Sequence, residues 1–586
     1  MGGTLGLEPL TSTQRRAVPW LLALAIALPA FIPLVGHYVG FSRMGQQPTG
    51  FLIYDTAYYL ANAREHFDNG QFSAFYSNAF SYDYASPRIY FQPLTLGLGV
   101  ILHVTHCDPG LLLACVGVVT AILGARAAIA LFDRYGDRSA EGGTLSLIAF
   151  CWGGGLFVVV GTILSFVVHP PGHAFDLPGW WWFVRVADPA GGWWFLNLGR
   201  NLVLPTEALY HALFFACIAA TVARQFALSL ALAAALSLSH PFTGLELLAV
   251  LGAWSALEFL LIRDRVVPWW FVAGVAGLTV VHAGYYLWFL PRFPEHRQLQ
   301  EQWTLAWTLS FPQSLLAYGI VAPLALVSLG TPSRIRRTLG AWPNRLLLIW
   351  LLVTLALENH DLFLPRPIQP LHFTRGYSWV AFFLLGLPTL TRFFQRVRRG
   401  ARQPLGWAVV GTALTVLLAD NATWLGATTT MGLELDLGRN LPADSVRQGF
   451  GLTPDQQDVL RYLNSDDCAR RVVVSEDMTL GYLVTVYTPL RSWRSHYANT
   501  PWSAVRTREL AAFFGQGTVV EAWHSLPLVF VFRSSSPWQE RVKALGASPV
   551  APDHRNNSYV VLRLGPAGVG QSMPSDAPSR VTAAPK

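Results

Sequence analysis

The sequence predicts an all-α polytopic membrane protein that carries a small α/β domain near its C-terminus. Of the 586 residues, 52% are hydrophobic and 13% are charged, whereas soluble domains carry roughly 25% charged residues. The hydrophobic residues form runs that are long enough for membrane helices, each of which needs about 20 apolar residues. These figures exclude intrinsic disorder, a collagen-like fibre and a disulfide scaffold.

Apolar runs and basic loops together predict the topology. Short Arg-rich stretches follow alternate runs, and basic loops of membrane proteins lie in the cytoplasm. The net charge of +8 therefore reflects topology rather than binding to nucleic acid. Eleven runs are candidate spans: 18–40, 110–132, 144–168, 205–223, 225–239, 243–262, 268–290, 312–330, 345–358, 376–391 and 406–426.

One further apolar segment, 92–106, conflicts with this alternation. If it crossed the membrane, every later Arg cluster would move to the outer side. We therefore predict a helix that lies along the outer surface and ends at Asp108-Pro109. The alternation then places the loops 41–109, 169–204 and 359–375, and everything after 427, on the outer side.

The composition divides the chain into three parts. Residues 1–430 form the transmembrane domain, with 41–109 as a first outer loop containing juxtamembrane helices and 169–204 as a second outer loop. Residues 436–565 form an extracytoplasmic α/β domain, and the Pro/Gly/Ala/Ser-rich tail 566–586 is expected to be disordered. Short apolar runs predict strands in the α/β domain, at Arg471–Ser475, Leu528–Phe532 and Ser558–Leu564, and they alternate with helical stretches at Thr453–Leu463 and Ala504–Phe514.

An acid opens the first outer loop. From Thr56 the sequence predicts an interfacial amphipathic helix, and Asp55 comes just before its first turn, near the membrane surface. A helix N-cap is a common structural role for such a residue. The alternative is a functional acid.

A second acid follows the second outer loop. Pro205 suits the first turn of a helix, and Glu207 lies within that turn. Favourable interaction with the helix dipole or an ion pair with Arg200 would explain Glu207 structurally. However, Asp55 and Glu207 then lie on the same side of the membrane at similar depth, where ionisable groups are costly and often functional.

The order of these features resembles a known superfamily. The pattern covers about residues 15–250 and resembles the GT-C glycosyltransferases, which transfer sugars from polyprenyl-phosphate or polyprenyl-diphosphate carriers on the outer or lumenal membrane face. It is most similar to the branch that contains protein O-mannosyltransferases and lipid A aminoarabinose transferases. The matching motifs are Tyr54-Asp55-Thr56, Phe91-Gln92-Pro93-Leu94, Leu131-Phe132-Asp133-Arg134, Arg200 and Thr206-Glu207-Ala208.

The resemblance implies a GT-C fold, with Asp55 as the catalytic acid or base and Glu207 as the second acidic group. Two features depart from that branch. Glu207 stands where Asp is frequent, and the fifth helix ends in Ser239-His240-Pro241 where a lysine is often found. The subfamily and the substrate therefore stay open.

Glycosyl transfer with inversion needs a base for the attacking nucleophile, and a leaving lipid phosphate needs cations placed in advance. We predict donor-phosphate contacts from four residues, with Arg suited to bidentate binding: Arg375, Arg366, His372 and Arg200. For Arg366 and Arg375 the alternatives are lipid-headgroup binding and helix capping. Four further residues are predicted to contact substrate: Tyr58, His240, His360 and Gln369.

A bound divalent cation, Mg or Mn, is a weaker hypothesis. Its ligands would be Asp55, Glu207, His240 and His360, but no HExxH or similar spacing supports them. The five cysteines show no metal-site spacing either. No cofactor is assigned.

The sequence thus predicts a glycosyltransferase of a bacterial inner membrane, with its C-terminal domain outside the cytoplasm. Its donor would be a polyprenyl-phosphate-linked sugar, and its acceptor a protein, a lipid-linked glycan or an envelope polysaccharide. One alternative is a transporter or flippase of lipid-linked sugars, although such proteins usually bind near the membrane midplane and often contain repeats. The other is a non-enzymatic membrane subunit that binds envelope sugar.

Overall fold

A computed structural model describes residues 12–67, 72–138, 142–168, 180, 183, 197–262, 266–302, 308–400, 404–432, 451–545 and 552–564. The chain divides into two compact units. The first unit contains the residues up to 77 together with 88–453, and the second contains 78–87 together with the residues from 454 onward. The predicted tail 566–586 and most of the second outer loop lie outside the described residues.

The first unit is mostly helical. Its N-terminal half contains α1 (Ser12–Arg43), α2 (Thr56–Arg64), α3 (Pro93–Thr105), α4 (Pro109–Tyr135), α5 (Gly143–Trp152), α6 (Phe157–Val168), α7 (Leu198–Asn201), α8 (Pro205–Val222) and α9 (Phe226–Ser239). Its C-terminal half contains α10 (Pro241–Leu261), α11 (Trp269–Ala283), α12 (Pro294–Gln302), α13 (Phe311–Tyr318), α14 (Val321–Leu329), α15 (Pro332–Gly340), α16 (Trp342–Glu358), α17 (Tyr377–Gly400) and α18 (Pro404–Gly432). The strands β1 (Gln47–Pro48) and β2 (Gly451–Leu452) pair antiparallel.

The protein is an integral membrane protein with a polytopic helical fold. Among the described residues, six helices are long and apolar enough to cross a membrane, or up to nine if each of three bent helix pairs is one span. The sequence predicts eleven spans because it also counts 225–239 and 376–391. The first of these is α9, which has only 14 residues, and the second lies within α17.

The segment 92–106 forms α3, a helix of 13 residues. This length is well below the roughly 20 residues that a span requires, in agreement with the prediction from the basic loops. The side chain of Asp108 accepts a hydrogen bond from the backbone N–H of Leu111 at 2.9 Å and so caps α4. Pro109 follows at the first helical position, where its missing N–H costs nothing.

The bend between α5 and α6 has a specific cause. Gly153, Gly154 and Gly155 separate the two helices, which meet at 67°. Asp420 of α18 accepts hydrogen bonds from the backbone N–H groups of Phe157 (3.3 Å) and Val158 (2.8 Å). The buried carboxylate therefore satisfies N–H groups of the first turn of α6, which have no partner within the helix.

Close packing between α4 and α8 places the first turn of α8. A Cβ atom on Gly124 would lie 2.9 Å from the Leu202 side chain and 3.1 Å from the carbonyl oxygen of Ala208. Small residues allow membrane helices to approach in this way. The position of Glu207 in α8 is thereby tied to α4.

The second unit is an α/β domain. Its helices are α19 (Pro454–Leu463), α20 (Met478–Tyr487), α21 (Ser503–Gln516) and α22 (Trp538–Ala544), and its strands are β3 (Val472–Ser475), β4 (Arg491–Ser492), β5 (Leu528–Arg533), β6 (His554–Arg555) and β7 (Tyr559–Leu564). The sheet order is β4-β3-β5-β7-β6, with β3 parallel to β4 and β5 and with the pairs β5–β7 and β6–β7 antiparallel. The predicted strands and helices of this region coincide with β3, β5, β7, α19 and α21 to within two residues at each end.

The sequence did not predict that residues 78–87 of the first outer loop belong to this second unit. The hydroxyl of Tyr84 donates to the carbonyl oxygen of Arg471 at 3.0 Å and accepts from the backbone N–H of Arg491 at 3.1 Å. The guanidinium of Arg506 lies 4.3 Å from the ring centroid of Tyr82 and 4.5 Å from that of Trp493. The loop segment therefore forms part of the core of the domain.

Candidate active site

The centre of the candidate site is a buried ion pair. Glu207 lies in the first turn of α8, and Arg375 lies in the loop that precedes α17. The Nη1 atom of Arg375 donates to both carboxylate oxygens of Glu207 at 2.7 Å, and the two side chains are 3% and 5% exposed. The partner of Glu207 is therefore Arg375 and not Arg200, which the sequence offered as one alternative.

The backbone at Arg375 adopts an unusual conformation. Its φ is +23° and that of Gly376 is +82°, in a region that non-glycine residues seldom occupy. The carbonyl oxygen of Arg375 accepts hydrogen bonds from His211 Nε2 at 2.5 Å and from Asn201 Nδ2 at 3.3 Å. Strained backbone of this kind persists when surrounding contacts fix it, and it often occurs at functional sites.

Asp55 lies at the start of α2 and is exposed. Its side chain makes no capping hydrogen bond to α2, so the N-cap interpretation does not describe this structure. Tyr59 lies one helical turn further on and therefore on the same face of the helix. The Tyr210 hydroxyl donates to the Tyr59 hydroxyl at 3.4 Å.

This contact joins the helix that follows Asp55 to the first turns of α8. Burial raises the pKa of Tyr59, and the charge of Glu207 raises it further. Tyr59 therefore remains a neutral hydrogen-bonding group between the exposed acid and the buried ion pair. Burial also raises the pKa of Tyr58, the tyrosine predicted to contact substrate.

Two predicted histidines lie near Arg375 and are uncharged. Burial lowers the pKa of His240 well below its usual value, and the charge of Arg375 lowers it further; the same causes apply to His372. His240 Nδ1 accepts a hydrogen bond from the backbone N–H of Thr243 at 3.1 Å and so caps α10. A neutral His372 can hydrogen-bond to a phosphate but cannot contribute charge, which modifies its predicted role.

The loop between α16 and α17 is held by His360. His360 Nδ1 donates to the carbonyl oxygen of Leu357 at 2.5 Å, and Nε2 accepts from the backbone N–H of Ile368 at 3.0 Å. Both ring nitrogens therefore bond to backbone groups on either side of the loop, and the substrate contact of His360 stays a prediction. Gln369 follows with a φ of +46° and is buried, whereas Arg366 is exposed.

Arg200 belongs to a neighbouring buried cluster. Its Nε donates to Asn421 Oδ1 at 3.2 Å, and its guanidinium carbon lies 5.6 Å from the ring centroid of Trp424. The side chain is 3% exposed. These contacts anchor α7 to α18, and the phosphate contact of Arg200 stays a prediction.

The candidate metal ligands do not fit a metal ion. Among the described residues there is no group of three or more His, Cys, Asp or Glu side chains that could hold one. Glu207 binds Arg375, His240 caps α10, and His360 binds its own loop. We therefore propose no chemical step that uses a metal.

Sequence reasoning missed two buried acids near Arg375. Glu246 of α10 is 0% exposed, and Glu358, the last residue of α16, is 1% exposed. Ser378, three residues after Arg375, donates to Glu358 at 2.8 Å, and α10 packs against residues 370–373 of the same loop. A signal was present, because Glu246 interrupts the apolar run 243–262 and intramembrane acids are often functional.

Comparison with known proteins gave structural matches only. No family model and no curated protein sequence matches this chain. The oligosaccharyltransferase AglB of Archaeoglobus fulgidus, in complex with an inhibitory peptide and a dolichol-phosphate, has a TM-score of 0.43 and 12% identity over 89% of this chain and 70% of its own. ArnT of Cupriavidus metallidurans, bound to undecaprenyl phosphate, has a TM-score of 0.48 and 12% identity over 96% of this chain and 100% of its own.

A further structure of the Archaeoglobus fulgidus enzyme, a complex with Zn and sulfate, has a TM-score of 0.39 and 11% identity over 87% of this chain and 68% of its own. At these identities and TM-scores, the similarity does not assign an activity, a metal or a substrate to this chain.

Proposed function

We propose that this protein is a membrane glycosyltransferase that moves a sugar from a polyprenyl-phosphate carrier to an acceptor on the outer side of the membrane. The arrangement of Asp55, Tyr59 and the Glu207–Arg375 ion pair carries this proposal. An exposed acid lies one helical turn from a tyrosine that is bonded to α8, and α8 holds the buried ion pair. The site thus combines a base that solvent can reach with a buried guanidinium that a carboxylate holds in position.

Asp55 is the proposed base. It accepts the proton of the acceptor hydroxyl while that oxygen attacks the anomeric carbon of the donor sugar, with inversion at that carbon. A general base must reach the proton that it removes, and the exposed position of Asp55 meets this requirement. Tyr58 and His240 are proposed to line the path of the substrate.

Arg375 and Arg366 are proposed to stabilise the phosphate that leaves. Charge develops on the phosphate as the glycosidic bond breaks, and preorganised cations lower the energy of that state. Arg375 is buried and paired with Glu207, so its guanidinium is already fixed in position before charge develops on the phosphate. Arg366 is exposed and contacts the phosphate directly, while neutral His372 and Gln369 offer hydrogen bonds.

The proposed location is a bacterial inner membrane, with the second unit outside the cytoplasm. The Arg-rich loops support this orientation because basic loops remain in the cytoplasm. The donor would then enter from the outer leaflet. The acceptor would be a protein, a lipid-linked glycan or an envelope polysaccharide.

The test uses the full-length protein in nanodiscs with a panel of radiolabelled polyprenyl-phosphate sugars. We expect the wild type to release polyprenyl phosphate and Asp55→Asn to lose this activity. Asp361→Asn serves as a control because Asp361 is another acid of an outer loop and has no proposed role. Full activity of Asp55→Asn would overturn the assignment, and a chelator should leave the wild-type rate unchanged.

A transporter of lipid-linked sugars is the second candidate. Three helix pairs, with bends of 67°, 78° and 105°, favour it, since transporters often use broken helices. In proteoliposomes a transporter would move the donor between leaflets without cleaving it, and Asp55→Asn would retain that movement. A non-enzymatic subunit would bind sugar and neither move nor cleave the donor.

A further inference from the structure

Among the described residues, no donor forms a hydrogen bond to the buried carboxyl group of Glu246. It lies in the second turn of α10, its side chain is 0% exposed, and neither carboxylate oxygen has a hydrogen-bond partner among the described residues. A buried ionised carboxylate without a partner is very costly. An ionised Glu246 would therefore be unfavourable at this position.

The same helix shows that this arrangement is avoidable. Glu258, three turns further along α10, is also buried, but Arg345 donates to its two oxygens at 2.6 and 2.9 Å. Arg345 comes from α16, the helix that also carries Glu358. Of the two acids of α10, Glu258 thus has a cation of α16 as its partner, whereas Glu246 has a second acid of α16, Glu358, as its neighbour.

Glu358 is only partly satisfied. Its Oε2 accepts hydrogen bonds from the hydroxyls of Tyr318 at 2.9 Å and Ser378 at 2.8 Å. Its Oε1 is buried and has no partner among the described residues.

The helices α10 and α16 pack against each other, and they are antiparallel, because Phe242 at the start of α10 and His360 just after α16 both contact the ring of Phe373. The Arg345–Glu258 ion pair fixes their register. Glu246 lies twelve residues before Glu258 and Glu358 lies thirteen residues after Arg345, so the two acids are at the same level of the helix pair.

The charges around Arg375 do not balance if every acid is ionised. The buried carboxyl groups of Glu207, Glu246 and Glu358 belong to elements that pack against the loop of Arg375: Glu207 binds Arg375, Ser378 donates to Glu358, and both α10 and α16 contact residues 370–373. His211 can add one positive charge at most, and even then negative charge is in excess. Tyr318 and Tyr377 also lie near Glu246, and neither contributes a cation.

We propose that Glu246 and Glu358 share one proton, so that the pair carries a single negative charge that acts on Arg375. Two close carboxyl groups commonly hold one proton between them because both cannot ionise together. The proton satisfies one oxygen of each acid. Both are positioning residues, since neither is proposed to contact the substrate.

The charge of the pair has a consequence for the donor, which rests on the proposed function. A negative charge beside Arg375 weakens the attraction of this region for a phosphate. Release of the polyprenyl-phosphate product is thereby favoured. If the charge is removed, the donor and the product should both bind more tightly.

The first test is infrared spectroscopy of the full-length protein in nanodiscs, without donor. A protonated carboxyl group has a C=O stretching band that is separate from the bands of carboxylates. With one shared proton, either Glu246→Gln or Glu358→Gln leaves a single ionised acid, so each variant should lose this band. The double variant Glu258→Gln/Arg345→Met should keep the band, because it removes an ionised acid together with its cation.

The second test measures donor kinetics with a polyprenyl-phosphate sugar. Each single Gln variant keeps one negative charge and should stay within about threefold of the wild-type KM, whereas Glu246→Gln/Glu358→Gln should lower KM by about tenfold and strengthen inhibition by polyprenyl phosphate. If the pair had only a structural role, the variants would change the melting temperature, and the KM of the double variant would not fall below that of the single variants.

The outcomes separate the two proposals. Retention of the protonated band in either single variant overturns the shared proton. If the single variants lose the band but Glu246→Gln/Glu358→Gln keeps the wild-type KM, the proposed effect of the pair on Arg375 is overturned. If the wild type cleaves no donor, the proposed function fails and the claim about Arg375 fails with it, while the infrared result still decides the shared proton.

Discussion

Arg375 donates from one nitrogen to both carboxylate oxygens of Glu207 at 2.7 Å, across 168 residues of sequence. The ion pair fixes the loop before α17 against the first turn of α8. The helix that begins after Asp55 contacts the same helix α8, because the hydroxyl of Tyr210 donates to that of Tyr59. The buried pair and the exposed acid therefore form one connected structure.

Glu207→Gln should destabilise the protein by about 3–5 kcal/mol, because it leaves the buried Arg375 without its counter-charge. The double variant Glu207→Gln/Arg375→Met should recover part of that loss, since both charges are then absent. Denaturant unfolding in detergent measures the free energy of unfolding of both full-length variants. Equal destabilisation in the single and double variants would show that the ion pair itself is not the cause.

Long-range pairing explains which parts of this site the sequence could predict. Asp55 and Glu207 were identified because acids at membrane boundaries are costly. The partner of Glu207 was not, because Arg200 is only seven residues away whereas Arg375 is 168 residues away. Spacing along the chain gives no information on contacts made by a distant loop.

Local sequence signals predicted the starts of helices better than they predicted the contacts within the site. Pro93, Pro109, Pro205 and Pro241 each begin a helix, as their lack of an N–H favours. The role of His360 could not be predicted, because a histidine that bonds its own loop looks the same in sequence as one that binds substrate. The assignment of residues 78–87 to the second unit likewise depends on contacts made some 400 residues later.

Gly376→Ala should displace Arg375. The glycine has a φ of +82°, and a Cβ atom there would lie 2.9 Å from the carbonyl carbon of Asn197 and 3.0 Å from the nitrogen of Leu198. We expect a loss of more than about 1 kcal/mol in the free energy of unfolding, together with reduced donor turnover.

Gly411→Ala is the matched control, because this glycine lies within α18 and a Cβ atom would meet no atom within 4 Å. It should stabilise the protein by roughly 0.5–1 kcal/mol and leave turnover unchanged. If Gly376→Ala were equally harmless, the loop would not depend on the conformation described here.

Arg506→Met should destabilise the second unit by about 2–3 kcal/mol. The guanidinium lies between the rings of Tyr82 and Trp493, and its Nε donates to the carbonyl oxygen of Pro501 at 2.8 Å. Protease sensitivity of this unit in the full-length protein reports the loss. Arg508→Met, on the exposed side of the same helix, should have little effect.

A double-mutant cycle tests whether the outer-loop segment is part of that core. Arg506→Met and Tyr82→Leu should be non-additive by about 0.5–3 kcal/mol, as expected for residues in contact. Additive effects would indicate that Tyr82 contributes nothing to the environment of Arg506. The segment 78–87 would then be peripheral to the stability of the second unit.

His296 should make stability depend on pH. The residue lies in α12, its Nδ1 is 3.1 Å from the Tyr90 hydroxyl, and burial lowers its pKa from 6.5 to about 4. Between these two values the unfolded chain binds more protons at this site than the folded protein does. Stability therefore falls as the pH falls through this window, by up to about 1.4 kcal/mol per pH unit.

His296→Gln removes the titration and keeps a polar group near Tyr90, so its unfolding free energy should fall less than that of the wild type between about pH 6.5 and pH 4. Other buried histidines, including His66 and His240, also have lowered pKa values; they contribute equally to both proteins and cancel in the difference. His524→Gln, at an exposed position, should leave the slope unchanged. If the slopes of wild type and His296→Gln were the same, His296 would titrate alike in the folded and unfolded chains, and burial would not be lowering its pKa.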